Sequence, residues 1–197
     1  MKTKILLFAL LVCLKSFSQG EASNWFFGSR AGIKFNGDNT ITVLSTAPNQ
    51  ISINTSEGCS SYSDDLGNLL MYTDGRTVWD KNHSIMPNGD YANNTGLFGD
   101  PSSTQSGIIV PKPNDPNIYY IFTVDEPHHT NASVYPNRYA GFYTEGQGVI
   151  QSIPDADDGL NNGLNYSIVD MSVTGSNGSI GDVIQEIRIW LRMIQIR

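Results

Sequence analysis

Gly67-Asn68-Leu69-Leu70-Met71-Tyr72-Thr73-Asp74-Gly75-Arg76-Thr77-Val78-Trp79-Asp80 is the stretch that decides the fold. Leu69 to Thr73 is apolar, aromatic and β-branched, which is strand composition. Asp74-Gly75 is a turn dipeptide, and Thr77 to Trp79 begins a return strand. The dipeptide predicts a two-residue hairpin, because such turns need positive φ at their centre. Ile108 to Val124 repeats the plan around a longer, proline-rich turn.

Working outward, Asn24 to Gly28 opens the domain, and Gly32 to Phe35 alternates with period two before the Asn36-Gly37 turn. Ile41 to Leu44 is the next short strand. Residues 45–54 read as a polar loop, Cys59 to Ser63 leads into the hairpin, and Asn88-Gly89 with Asn94-Thr95-Gly96 marks a long surface loop. Arg138 to Thr144 reads as an aromatic-rich strand, Asp155 to Asn165 as an acidic loop, and Tyr166 to Val173 alternates again. Strands therefore recur roughly every 8–15 residues, as in a sandwich or propeller. Leu69 to Thr73 and Tyr119 to Thr123 lie 50 residues apart, a blade-like period. The expectation is an all-β, β-propeller-like fold, incomplete, with about three to four blades.

The first residues have the layout of a cleaved N-terminal signal helix. Lys2 and Lys4 precede an apolar run from Ile5 to Leu14, and Ser16-Phe17-Ser18 sets small residues for cleavage between Ser18 and Gln19. That run is too short for a comfortable membrane span. Cys13 follows Val12 where a lipoprotein signal needs a small residue, so lipidation is not expected. The expected organisation is a signal peptide over 1–18, the β-propeller-like domain over 19–185 and an atypical tail over 186–197.

Twelve basic residues stand against 19 acidic ones. Removing Lys2, Lys4 and Lys15 leaves 9 basic residues, hence a net charge of −10. Such a chain is a poor partner for nucleic acid or an anionic membrane. Cys59 is the one cysteine left, so no internal disulfide forms, and its reading is a small buried side chain.

Several motifs lie in order along the chain. They are Asn54-Thr55-Ser56-Glu57-Gly58-Cys59, Gly67 to Gly75, Val78-Trp79, Asn82-His83, Met86-Pro87-Asn88-Gly89, Ser103 to Ser106, Ile109 to Pro113 and Tyr119 to Asp125. Tyr166 to Ser172 and Gly181 to Gln185 continue the series. Together, over residues 24–185, the sequence resembles the N-terminal region of large surface proteins of Bacteroidetes. The resemblance implies a propeller-like region, followed in such proteins by PKD-type or other immunoglobulin-like repeats. A C-terminal gliding-motility-associated sorting domain of type IX secretion completes them. It implies an extracellular or cell-surface, adhesive role and carries over no catalytic residue.

The resemblance ends at residue 185, where Glu186 to Arg197 changes character: three arginines and no glycine. One reading is an amphipathic last strand, since Ile187, Ile189 and Leu191 alternate with Arg188, Trp190 and Arg192. The sharper reading is a frameshift or truncation near Gln185.

Chemistry is sparse. No nucleophile elbow, zincin helix or phosphate-cradling glycine loop is present. His128-His129, with Asp125 or Glu126, would need an irregular loop to converge on a metal, because adjacent strand residues face opposite ways. His83 reads as a polar turn residue. Asp155, Asp157 and Asp158 are the candidates for a weakly held extracellular Ca²⁺, although their spacing departs from the EF-hand loop. No other cofactor is expected. Asp64 and Asp74 fall in turns, where aspartate serves local hydrogen bonds. Of the aromatics Trp25, Trp79, Tyr91, Tyr135, Tyr139 and Tyr143, Trp79 and Tyr143 are the candidate sugar-stacking residues.

The expected role is a secreted or cell-surface non-catalytic binding or structural module, part of an adhesin-like or gliding-motility-associated protein. Its partner would be a surface glycan or protein. The alternatives are an extracellular carbohydrate-binding module and a glycan hydrolase. Sequencing the coding DNA across codon 185 checks the tail: we expect a polar, stop-free second frame to resume there. Codons that admit no such frame would make residues 186–197 a native strand.

Overall fold

A computed structural model of the chain describes residues 20–44, 51–55, 57–93, 95–101, 103–124, 130–131, 160–161, 164–176 and 178–189. The signal segment, Tyr135, Tyr139 and the strand expected at 138–144 lie outside these residues. Among the described residues the fold is all-β, with two single-turn 3₁₀ segments at Gly20–Ala22 and Tyr91–Asn93.

Three antiparallel sheets follow one another along the chain. The first is β1 (Asn24–Phe27), β2 (Ala31–Phe35) and β3 (Ile41–Leu44), and the second is β4 (Ser60–Ser63), β5 (Leu69–Thr73) and β6 (Val78–Asp80). Next come β7 (Gly107–Pro111) and β8 (Ile118–Val124), then β9 (Thr130–Asn131) and β10 (Leu160–Asn161), which form a two-residue parallel pair. β11 (Leu164–Thr174) and β12 (Ile180–Ile189) complete the third sheet, in the order β12-β11-β8-β7. Each sheet is an up-and-down meander.

Leu164 and Asn165, at the end of the acidic loop expected over 155–165, open β11, with Leu164 paired to Val124. The boundary expected after Gln185 falls inside β12, which continues in register to Ile189 opposite Leu164.

Aspartates build the turns. The hairpin expected at Asp74-Gly75 is instead a four-residue loop over 74–77, since the last strand pair is Thr73 with Val78. Asp74 Oδ1 accepts from Arg76 N (2.9 Å) and Thr77 N (2.7 Å), so the side chain closes the turn. Only Gly75 takes positive φ there, at 88°. Asp64 acts likewise, accepting from Leu66 N and Asn68 N.

β5 explains the architecture. Successive strand residues face opposite sides. Met71 joins a core cluster with Ile109, Tyr119, Ile121, Val169 and Val183 of the third sheet. Tyr72 joins a second cluster with Phe26 of the first sheet, Ile51, Ile53 and Trp79. The second sheet is therefore covered on both faces, which is why Leu69 to Tyr72 runs apolar rather than alternating. Ile51 and Ile53, in a segment read as a polar loop, are 1% and 0% exposed. They point inward at i and i+2, and Ile53 O accepts from Arg30 N (3.1 Å).

First strands adjoin first strands: β1 packs on β4 and β4 on β7. Asn24 Nδ2 donates to Ser63 Oγ (2.9 Å) and Gly67 O (3.1 Å) across the first of these seams. The outward face of the first sheet stays apolar and exposed, with Trp25, Phe27, Phe35, Ile41 and Val43. Asn88-Gly89, read as part of a surface loop, instead ends a segment over 84–89 that widens the second sheet. Ile85 bridges Trp79, Met86 N donates to Val78 O, and Val78 N donates to Gly89 O (both 2.9 Å).

Asp80, fully buried, ties the second sheet to the third. Its Oδ1 accepts from Asn82 N (2.8 Å) and Ser84 N (2.9 Å), and its Oδ2 accepts from Ile180 N (2.8 Å) at the start of β12. Asp80→Ala removes the shared acceptor of three part-buried backbone amides. We expect a loss of about 3 kcal/mol, given roughly 1.5–3 kcal/mol for each hydrogen bond to a charged group and strong non-additivity. Urea unfolding followed by tryptophan fluorescence measures it, and a loss below about 0.5 kcal/mol would contradict this role.

Candidate functional site

A cleft of about 640 Å³ lies where the first and second sheets meet. Asn24 and Lys34 are cross-strand partners, so both project on the face that also carries Phe26. The β4–β5 turn supplies Asp64 and Asn68, β5 supplies Leu69 and Leu70, and the turn after β6 supplies Lys81, Asn82 and His83. Leu44 and Ile51 complete the wall.

The cleft is backed by stacked aromatic rings. Phe26 lies on Tyr72 with centroids 4.6 Å apart and planes at 21°. Tyr72 lies on Trp79 at 5.2 Å and 13°. His83 meets Phe26 edge-on at 6.1 Å. His83 adopts φ 64°, a left-handed conformation set by the tight turn that Asp80 caps.

One hydrogen-bond chain fixes the imidazole. Ser52 N donates to Tyr72 Oη (3.3 Å), and Tyr72 Oη lies 3.0 Å from His83 Nδ1. This contact engages Nδ1 and leaves Nε2 as the ring's remaining hydrogen-bonding group. Burial holds the His83 pKa below its ordinary 6.5 against the opposing pull of Asp80. Burial also pushes the Tyr72 phenol up to about 12, despite the hydrogen bonds from Ser52. Both groups are neutral at pH 7.

The charged rim is asymmetric. Lys34 and Lys81 have no ion pair among the described residues. Asp64 is raised by its slight burial but lowered overall by hydrogen bonds from Asn68, Leu66 and Gly67. Its Oδ2 also accepts from Asn68 Nδ2 (2.9 Å), so both oxygens already serve the turn.

The residues singled out in the sequence are spread widely. Trp79 is 6% exposed and belongs to the core behind the cleft, not to a surface platform. Tyr143, Asp155, Asp157, Asp158, His128, His129, Ser18 and Gln19 lie outside the described residues. Trp25 is exposed on the outer face, its Nε1 donating to Ala22 O (2.8 Å). Tyr91 lies under the Arg76 guanidinium at 4.3 Å. Cys59 is half-buried, its Sγ donating to Phe26 O (2.9 Å), and burial, then Asp74, raises its pKa. That is a packed thiol rather than a nucleophile. Among the described residues no three His, Cys, Asp or Glu side chains converge as for a metal, and no helix is long and apolar enough to cross a membrane. Sequence reasoning missed Lys34, Lys81 and the use of His83. The one available signal was Asn82-His83 directly after a strand ending in aspartate.

No protein-family profile, curated protein or solved structure matches this chain.

His83 carries a pH signature. Its folded pKa lies below 6.5, so the unfolded chain takes up the proton first. The stabilisation is full above about pH 6.5 and is lost as pH falls through the folded pKa. We expect the melting temperature to decline from pH 7.5 to pH 5, and His83→Asn, which tolerates positive φ, to flatten that decline. An unchanged slope in the variant would contradict the buried neutral imidazole.

Proposed function

We propose that this chain is a secreted or outer-surface, non-catalytic binding or structural module of an adhesin-like or gliding-motility-associated protein. Its sheets are read as consecutive blades of an incomplete propeller-like arc. The observation that carries this reading is the stacking order: three successive meanders, with β1 against β4 and β4 against β7. Blades around a common axis place their first strands in just this relation. The repeated strands β5 and β8 are both second strands of their sheets, which fits one blade plan used twice. The arc is open on its first face, where Ile41 is 59% and Val43 76% exposed.

The turn aspartates favour binding over hydrolysis. Asp64 is held on both oxygens, and Asp74 and Asp80 accept backbone amides within their own turns. The cleft favours carbohydrate as one class of partner, since its polar rim surrounds an apolar floor.

The test is the behaviour of residues 19–197 in solution. We expect self-association through the open apolar face, and a shift toward monomer in Ile41→Thr/Val43→Lys, read by light scattering after size exclusion. A soluble, cooperatively melting monomer of the unaltered chain would contradict the incomplete arc. Retention on at least one member of a panel of glycans and surface proteins is expected of a binding module.

A further inference from the structure

We propose that the cleft between the first two sheets binds a sugar ring bearing an acidic substituent, of the uronic-acid type. This deepens the binding-module reading and rests on it. Three features of the cleft select that chemistry.

The first is charge. The chain carries a formal net charge of −7. Among the described residues Arg30, Lys34, Arg76, Lys81 and Lys112 carry positive charge on the first two sheets and the β6–β8 region, and Arg188 lies on β12. Lys112 is paired with Asp115 at 3.0 Å, and Arg76 lies over Tyr91. Lys34 and Lys81, by contrast, line one cleft from two different sheets and have no anionic partner among the described residues. Two uncompensated ammonium groups on one cleft of an acidic protein draw an anion to that place.

The second is shape and polarity. The volume of about 640 Å³ falls inside the range of about 300–1,000 Å³ common for small-molecule sites. Phe26, Leu44 and Leu69 give an apolar floor, and the amides of Asn68 and Asn82 stand on the rim. A pyranose ring has this division, with C–H faces and hydroxyl edges.

The third is hydrogen-bonding capacity. Tyr72 Oη holds His83 Nδ1 at 3.0 Å, which leaves Nε2 of a cleft-lining ring to meet a sugar hydroxyl. Asp64 Oδ2, which among the described residues accepts only from Asn68 Nδ2, has a lone pair left for a hydroxyl on the same rim. A carboxylate among the lysines disfavours a densely charged ligand such as a polyphosphate. It suits a single acid group on a hydroxylated ring.

Calorimetric titration with tri-galacturonate and tri-mannuronate, each against its neutral methyl ester, tests the proposal. The intact chain should bind one acidic trimer about tenfold more tightly than its ester, since one lost charge-assisted contact amounts to roughly that factor. Lys34→Gln and Lys81→Gln should each bring the acid down to the level of the ester and leave the ester unaffected. Their melting curves should match the parent, because neither ammonium is in an ion pair among the described residues. Equal binding of acid and ester, or insensitivity to both substitutions, overturns acid recognition and leaves a sugar-binding module standing. Retention of only neutral glycans or proteins, with neither trimer bound, overturns the ligand class but not the module. Absence of any partner across the panel overturns both.

Discussion

The Phe26–Tyr72–Trp79 stack is the interaction on which the rest depends. Phe26 comes from the first sheet, and Tyr72 and Trp79 come from adjacent strands of the second. The stack joins the two sheets and forms the back of the cleft. Its gain is mostly burial: rings of this size remove on the order of 150–250 Å² each from water, and ring geometry adds about 0.5–1.5 kcal/mol per pair. The Tyr72 hydroxyl acts locally, because it holds the His83 ring through Nδ1 while accepting from Ser52 N. Removing the ring would separate the sheets, whereas removing only the hydroxyl would loosen the imidazole.

A sheet buried on both faces has a polar cost, and the aspartates meet it. With β5 and β6 covered on both sides, the turns at their ends are also drawn inward: Thr73, Asp74, Thr77 and Asp80 are all buried. Amides there have little access to water and need internal acceptors. Thr73 Oγ1 accepts from Gly75 N (3.0 Å) and donates to Thr77 O (2.7 Å), and Asp74 and Asp80 accept the neighbouring amides. The geometry shows both carboxylates serving as backbone acceptors, the turn role that the sequence suggests for Asp74. The acidic composition is thus partly a consequence of short turns between buried strands.

The legible part of the fold was whatever local composition dictates. β5, β7, β8 and β11 are readable because β-branched and aromatic runs end at Asp, Asn, Gly or Pro. The β5–β6 turn was misjudged in length because the Asp74 side chain, invisible to a backbone turn rule, closes a wider loop. Ile51 and Ile53 escaped notice because two apolar residues among polar neighbours carry little periodic signal. Their burial is set by contact with Phe26 and Tyr72, far away in sequence. The cleft was the least legible feature. Asn24, Lys34, Asn68, Lys81 and His83 come from separate elements, and only the packing of one meander on the next brings them together.

Aromatic stacking couples the first sheet to the second and thereby builds the cleft. A double-mutant cycle on Phe26→Leu and Tyr72→Leu, followed by urea unfolding, measures that coupling directly. We expect the paired substitution to cost less than the two singles together, with a coupling of about 1 kcal/mol for stacked rings. Strict additivity of the two losses would mean that the sheets, and the cleft between them, hold together without the stack.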